Sequence, residues 1–203
     1  ITGRTGSLEQ ALKNIMLIKK YNIPLYIKTI ITNINFRDWV EIRQFCENNG
    51  FSYNIDHDVF AKKDGGNEPL DLRMTSEQYR LELEELDRLR GFTVKSHDEN
   101  EFVCSGVRNS LFIDNSGKVY PCNKFLFLLG DLNKDNISNI WNKSIELHRI
   151  QNMRWKDLPE CSKCSNNKYC IHCPGTSMLE NGSEYAKSTL ACHKAEIRKE
   201  LYC

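Results

Sequence analysis

Residues 161–173, CSKCSNNKYCIHC, place four cysteines within thirteen positions, as two C-x-x-C pairs separated by five residues. Thiols at this density form disulfides, bind zinc or hold iron–sulfur clusters, and the reading of the whole chain turns on which. Adjacent C-x-x-C pairs are poor staples for long loops, and no targeting segment points to an oxidising compartment. Zinc fits better, because two such knuckles supply four thiolates to one tetrahedral ion. The interval between them is short against the roughly 15–20 residues of zinc ribbons. A single zinc would also leave Cys104, Cys122 and Cys192 without a role. Two iron–sulfur clusters take up to about eight thiolates and use them all.

The placement of sulfur divides the chain. Cys46 alone lies in the first half, whereas eight cysteines fall between Cys104 and Cys203. With 203 residues there is enough chain for one large or two small cores. A 40% hydrophobic and 27% charged composition is ordinary for a soluble globular protein. Basic and acidic residues number 28 and 27, leaving a net charge of +1 with no long run of either sign. That balance argues against nucleic acid or a membrane surface as a partner held by bulk charge. No apolar run approaches the ~20 residues of a membrane span. The opening ITGRTGSLEQ has neither Met nor an apolar signal core, so the chain reads as the cytoplasmic continuation of something longer.

Residues 1–90 read as alternating helix and strand. Ser7 and Gln10 have capping-box spacing, followed by Leu8, Ala11, Leu12, Ile15 and Ile18 on a helical face. LYIKTIIT (25–32) has the β-branched character of a strand. A second helix is expected over 36–49, with Gly50 as its stop. FSYNIDHDVF (51–60) alternates as the next strand, and Thr75 with Gln78 caps a helix carrying Tyr79, Leu83, Leu86 and Leu89. Successive βα units imply parallel strands with right-handed crossovers, and two strands are too few to close a barrel. From 104 onward LFIDNSGKVYPC reads as a β-hairpin, 137–154 as one amphipathic helix, and the rest as cysteine-rich loop ending in a short helix.

The spacing Cys104-x12-Gly117-x4-Cys122, then Cys161-x2-Cys164-x5-Cys170-x2-Cys173, then eighteen residues to Cys192, resembles the SPASM domain. That twin-cluster module ends many radical S-adenosylmethionine (SAM) enzymes that modify ribosomal peptides or sulfatases. SGKVYPC and GDLNKDNISNIW match its flanking text. One departure is the x2 before Cys173, where the family has x3. GRTGSLEQALKNIMLIKKYNIPLYIKTIIT and the units after it resemble the later part of the superfamily's (β/α) barrel. The superfamily's C-x3-C-x2-C motif is absent.

The resemblance implies an α/β fold in which residues 1–92 form half of a partial parallel (β/α) barrel. Residues 93–203 would form a small α+β SPASM domain. By the same resemblance Cys161, Cys164, Cys170 and Cys192 hold one auxiliary 4Fe-4S cluster, and Cys104, Cys122 and Cys173 the other. The second set lacks a fourth member, for which an open position, His97 and Cys203 are the candidates. Lys28, Thr29, Asn54 and Asp56 are candidate contacts on the SAM side of the barrel. His172 is expected to point outward or to donate to a cluster sulfide. The complete enzyme would carry SAM and a third 4Fe-4S cluster, and would abstract hydrogen from a precursor peptide or protein with a 5′-deoxyadenosyl radical. Its auxiliary clusters would relay electrons or bind substrate, with an electron donor such as flavodoxin or ferredoxin. Without the C-x3-C-x2-C motif this chain is not expected to cleave SAM alone. A non-catalytic zinc-binding interaction module is the competing expectation.

Overall fold

The computed structural model describes residues 3–203. It is a mixed α/β structure made of two compact units that divide between His57 and Asp58.

The first unit runs α1 (Ser7–Lys20), β1 (Tyr26–Ile30), α2 (Trp39–Asn49) and β2 (Ser52–Asp56). β1 and β2 pair in parallel, with Lys28 opposite Asn54 and Thr29 opposite Ile55. The expected capping box at Ser7 does not form. Gly6, at φ 76°, is the N-cap, and Ser7 already lies inside the helix with no side-chain cap. An N-cap hydroxyl needs an extended backbone, which the left-handed approach through Gly6 denies it. α2 ends as anticipated at Gly50 (φ 69°), where Phe51 N–H returns to the Cys46 carbonyl at 2.9 Å. Cys46 and Trp39 are buried, whereas Leu8, Leu17 and Tyr26 are exposed.

The second unit begins with a loop and α3 (Ser76–Arg90), whose Thr75–Gln78 capping box is complete. α3 packs on the last helix, α7 (Thr189–Tyr202), burying Tyr79, Leu83 and Leu86. The hairpin expected around Gly117 is present as β3 (Phe112–Ile113) and β4 (Lys118–Tyr120), and β5 (Gly130–Asp131) adds a third antiparallel strand. Gly117 takes φ 85° in the turn, where Asp114 Oδ1 accepts from the backbone of Ser116 and Lys118.

The segment 137–154 is two helices rather than one, α4 (Ile137–Lys143) and α5 (Ile145–Gln151). Ser144 separates them, because its extended backbone lets the hydroxyl accept from Leu147 N–H at 3.2 Å and start a new helix. α6 (Pro174–Asn181) lies in what reads from sequence as loop, with Pro174 in its first turn. Val107, Phe125, Ile150, Met153, Trp155 and Leu158 form the core beside the cysteines. Among the described residues no helix is long and apolar enough to cross a membrane.

Candidate metal centre

The seven clustered cysteines enter this unit from six short pieces of backbone. Residues 101–103 pair with 153–155, through Val103 N–H to the Met153 carbonyl at 3.0 Å and Trp155 N–H to the Glu101 carbonyl at 3.1 Å. That pairing delivers Cys104 to the core. Cys122 follows β4, and Cys173 is the N-cap of α6. Cys161 and Cys164 share a tight turn, with Cys164 N–H on the Cys161 carbonyl at 3.2 Å. A 3-10 turn (Asn167–Tyr169) leads to Cys170, and Cys192 sits in the first turn of α7.

The seven thiols sort into two groups. Cys122 lies within electrostatic range of Cys173 and Cys104. Cys161 and Cys170 are each within range of Cys164 and Cys192, and of one another. Cys161, Cys164, Cys170 and Cys192 together line a cavity of about 290 Å³ with Trp155, His172 and Ala195. Burial, and then the neighbouring thiols, push Cys170 up to about 12 and Cys161 up to about 11. Burial also raises Cys122 and Cys192. Thiols arranged this way ionise together only around a compensating cation. All nine cysteines are free.

Among the described residues no three His, Cys, Asp or Glu side chains close tightly enough around one point to hold a single metal ion. One water needs only roughly 10–15 Å³ of such space, so the four-cysteine cavity has room for a polynuclear group. A soft, all-thiolate donor set beside the apolar Trp155 and Ala195 fits an iron–sulfur cluster.

The remaining candidates lie elsewhere. Cys203 Sγ is 2.8 Å from Tyr169 Oη, apart from both groups. His97 stacks on Trp155 with ring centres 3.8 Å apart, and its Nε2–H donates to the Cys170 carbonyl at 3.0 Å. It therefore sits beside the four-thiol group, not the three-thiol one. His172 is buried rather than turned outward, held neutral with a pKa lowered by burial to about 4. In the first unit Lys28, Asn54 and Asp56 share one face of the sheet, with Lys28 Nζ 3.3 Å from Asp56 Oδ2. Thr29 lies on the opposite face with Ile55.

Two cations beside the three-thiol group escaped sequence reading. Lys124 Nζ lies 3.9 Å from Cys173 Sγ. Lys63 sits over the Tyr120 ring at 3.9 Å, within electrostatic range of Cys122. Neither belongs to a motif; only the nearness of Lys124 to Cys122 in the chain marked it.

Residues 104–165 match the SPASM family, an iron–sulfur cluster-binding domain. The chain carries a SPASM domain. The match includes Cys104, Cys122, Cys161 and Cys164, while Cys170, Cys173 and Cys192 follow it. Solved structures of anSMEcpe, an anaerobic sulfatase-maturating enzyme of the radical SAM/SPASM type, share the fold of nearly the whole chain. A polyhistidine-tagged anSMEcpe with bound AdoMet aligns at TM-score 0.60 and 15% identity, covering 96% of this chain and 56% of its own. Native anSMEcpe with bound AdoMet and Kp18Cys peptide aligns at TM-score 0.55 and 16% identity, covering 96% and 59%. The SPASM-bearing chain thus spans under two thirds of those proteins. No curated protein matches its sequence.

Proposed function

We propose that this chain is the cluster-bearing, C-terminal part of a radical SAM/SPASM enzyme that modifies a peptide or protein. The observation that carries the reading is the sorting of seven cysteines into two thiol groups around and beyond a SPASM match. Cys161, Cys164, Cys170 and Cys192 would hold one 4Fe-4S cluster, and Cys104, Cys122 and Cys173 the other. When bound, such clusters supply one-electron transfer and, at an iron without a cysteine, a site for a substrate donor.

The chain's own residues do the rest. Trp155, Leu158 and their core neighbours cover Cys161, Cys104 and Cys122 on their inner side. His97 and the Tyr169 turn fix the backbone on which Cys170 rides. With Cys203 on Tyr169 and His97 on Trp155, the three-thiol group is left for a non-cysteine fourth donor, which we assign to substrate.

α1, β1, α2 and β2 would be two βα units of a larger parallel barrel. This is supported by the parallel register and by the 96% coverage in anSMEcpe. On that barrel Lys28, Asn54 and Asp56 would face SAM, and Thr29 would pack with Ile55. An acidic electron carrier such as flavodoxin or ferredoxin, a precursor peptide or protein, and a cytoplasmic setting complete the proposal. The last is supported by nine unpaired cysteines.

Anaerobic reconstitution tests the reading. The chain should take up about eight iron and about eight sulfide and become brown, as two clusters require. A colourless protein with stoichiometric zinc and no iron would overturn it in favour of a zinc-binding module.

A further inference from the structure

The two thiol groups differ in the charges around them. At the three-thiol group, Lys124 brings its ammonium to Cys173 Sγ at 3.9 Å, and its backbone N–H donates to Cys122 Sγ at 3.4 Å. Thr176 Oγ1, 3.3 Å from Nζ, and the Phe60 ring, 4.7 Å away, hold the side chain, which is only 16% exposed. Asp58 Oδ2 approaches Lys124 at 3.9 Å, but Asp58 is also the partner of the buried Lys194. Of these two contacts on Asp58, the one from Lys194 is the shorter. The first turn of α6, which begins at Cys173, adds its positive end.

Among the described residues, the four-thiol group has no lysine against a sulfur and carries more carboxylates. Glu160, Glu180 and Glu196 lie within electrostatic range of Cys161 or Cys192. The cations there are each met by a carboxylate: Lys187 by Glu160 at 2.6 Å, Arg73 by Glu180 at 2.9 Å, and Arg198, which reaches Cys170, by Asp87 at 2.7 Å, so that Glu196 adds a further negative charge.

A positive charge and N–H donors at cluster sulfurs favour the more negative, reduced form and raise the potential; carboxylates lower it. We propose that Lys124 sets the potential of the cluster on Cys104, Cys122 and Cys173, and holds it above that of the cluster on the Cys161 group. The inference rests on the two-cluster reading. Each couple is a single electron gained or lost by one cluster, with no bond made or broken. An electron delivered to the Cys161 group then runs downhill to the three-thiol group, the end at which we place the substrate donor.

The test is an anaerobic redox titration of the reconstituted holoprotein, with dithionite as reductant and electron paramagnetic resonance as the readout. Wild type, Lys124→Met and Lys124→Arg are compared, each with its iron and sulfide counted. In Lys124→Met the upper couple should become about tenfold harder to reduce, a drop of ~59 mV for one electron. The lower couple should stay in place, and Lys124→Arg should titrate close to wild type. Couples that do not move, or movement of the lower one, would overturn the proposal while leaving the clusters intact. So would loss of half the iron in Lys124→Met, which would make the lysine a structural support. A wild-type protein without iron would remove the reading and the proposal together.

Discussion

Arg198 and Asp87 form a two-pronged ion pair, with Nε 2.7 Å from Oδ2 and Nη2 2.7 Å from Oδ1, and both side chains are sealed from solvent. The pair ties α7 to α3. Arg198 Nη1 also donates to the Tyr169 carbonyl at 3.2 Å, one residue before Cys170. Removing one partner of such a pair strands a buried charge, at a cost of roughly 3–5 kcal/mol. Asp87→Ala should therefore lower the urea midpoint of the protein by that amount of stability. Replacing both partners by apolar residues (Asp87→Leu with Arg198→Met) should recover most of the loss. A single variant as stable as wild type would show that the pair does not fasten the two helices.

Single cysteine variants should separate the two thiol groups. In Cys164→Ala or Cys170→Ala, about four of the eight iron expected for two clusters should be lost, while the signal of the other cluster persists. Cys104→Ala or Cys122→Ala should do the converse. Cys203→Ser should retain all the iron, because its thiol contacts Tyr169 rather than either group. Iron analysis with low-temperature magnetic resonance decides each case, and equal losses in all of them would dissolve the two-group assignment.

Gly175 sits where a side chain does not fit. A Cβ there would lie 2.7 Å from Lys124 Cβ and 3.5 Å from Cys122 Sγ. Gly175→Ala should push Lys124 and the Cys122 loop outward, at a cost of about 1–3 kcal/mol for overpacking. Iron at the three-thiol group should fall while the four-thiol group is spared. Normal iron content at both groups would mean that the loop yields without loss.

Removing the metal should loosen the second unit selectively. Binding energy at a structural metal site is folding energy, and here the cysteine segments are held mainly by short turns. Anaerobic chelation should speed hydrogen exchange over 104–124 and 161–173, leaving β1 and β2 in the first unit at their former rates. Unchanged exchange at 161–173 would indicate a segment fully ordered by protein contacts.

Much of this molecule was legible in the sequence where one physical signal acts locally. Thr75 and Gln78 announced their helix because a capping box needs only four residues, and Gly50 announced a stop because a left-handed turn favours glycine. Ser7 and Gln10 have the same spacing as Thr75 and Gln78, yet Gly6 takes the cap, since spacing says nothing of the backbone that leads in. Ser144 went unread for a related reason. A serine inside an amphipathic run is silent until its backbone extends and its hydroxyl caps the next turn.

At the candidate metal centre, the crowding of cysteines marked a second half organised around sulfur, and the division into two sets came from the family resemblance. What spacing did not reveal was their surroundings. Chain that folds back from other parts of the unit brings Lys63 to Cys122 and Cys173 to the Lys124 ammonium, so only the tertiary structure makes those two contacts. The burial of His172 is likewise a product of packing against Trp155, at 6.0 Å between ring centres, and not of its neighbours in the C-I-H-C text.

Cys170 belongs to one thiol group and Cys173 to the other, with only Ile171 and His172 between them. Three residue steps of fully extended chain reach at most ~10–11 Å. The two sites are thus moored to one short, stiff tether, and neither can swing away without tugging its neighbour. Strain or displacement at the end where we place the substrate would be felt mechanically at the other, with no hinge between them to absorb it.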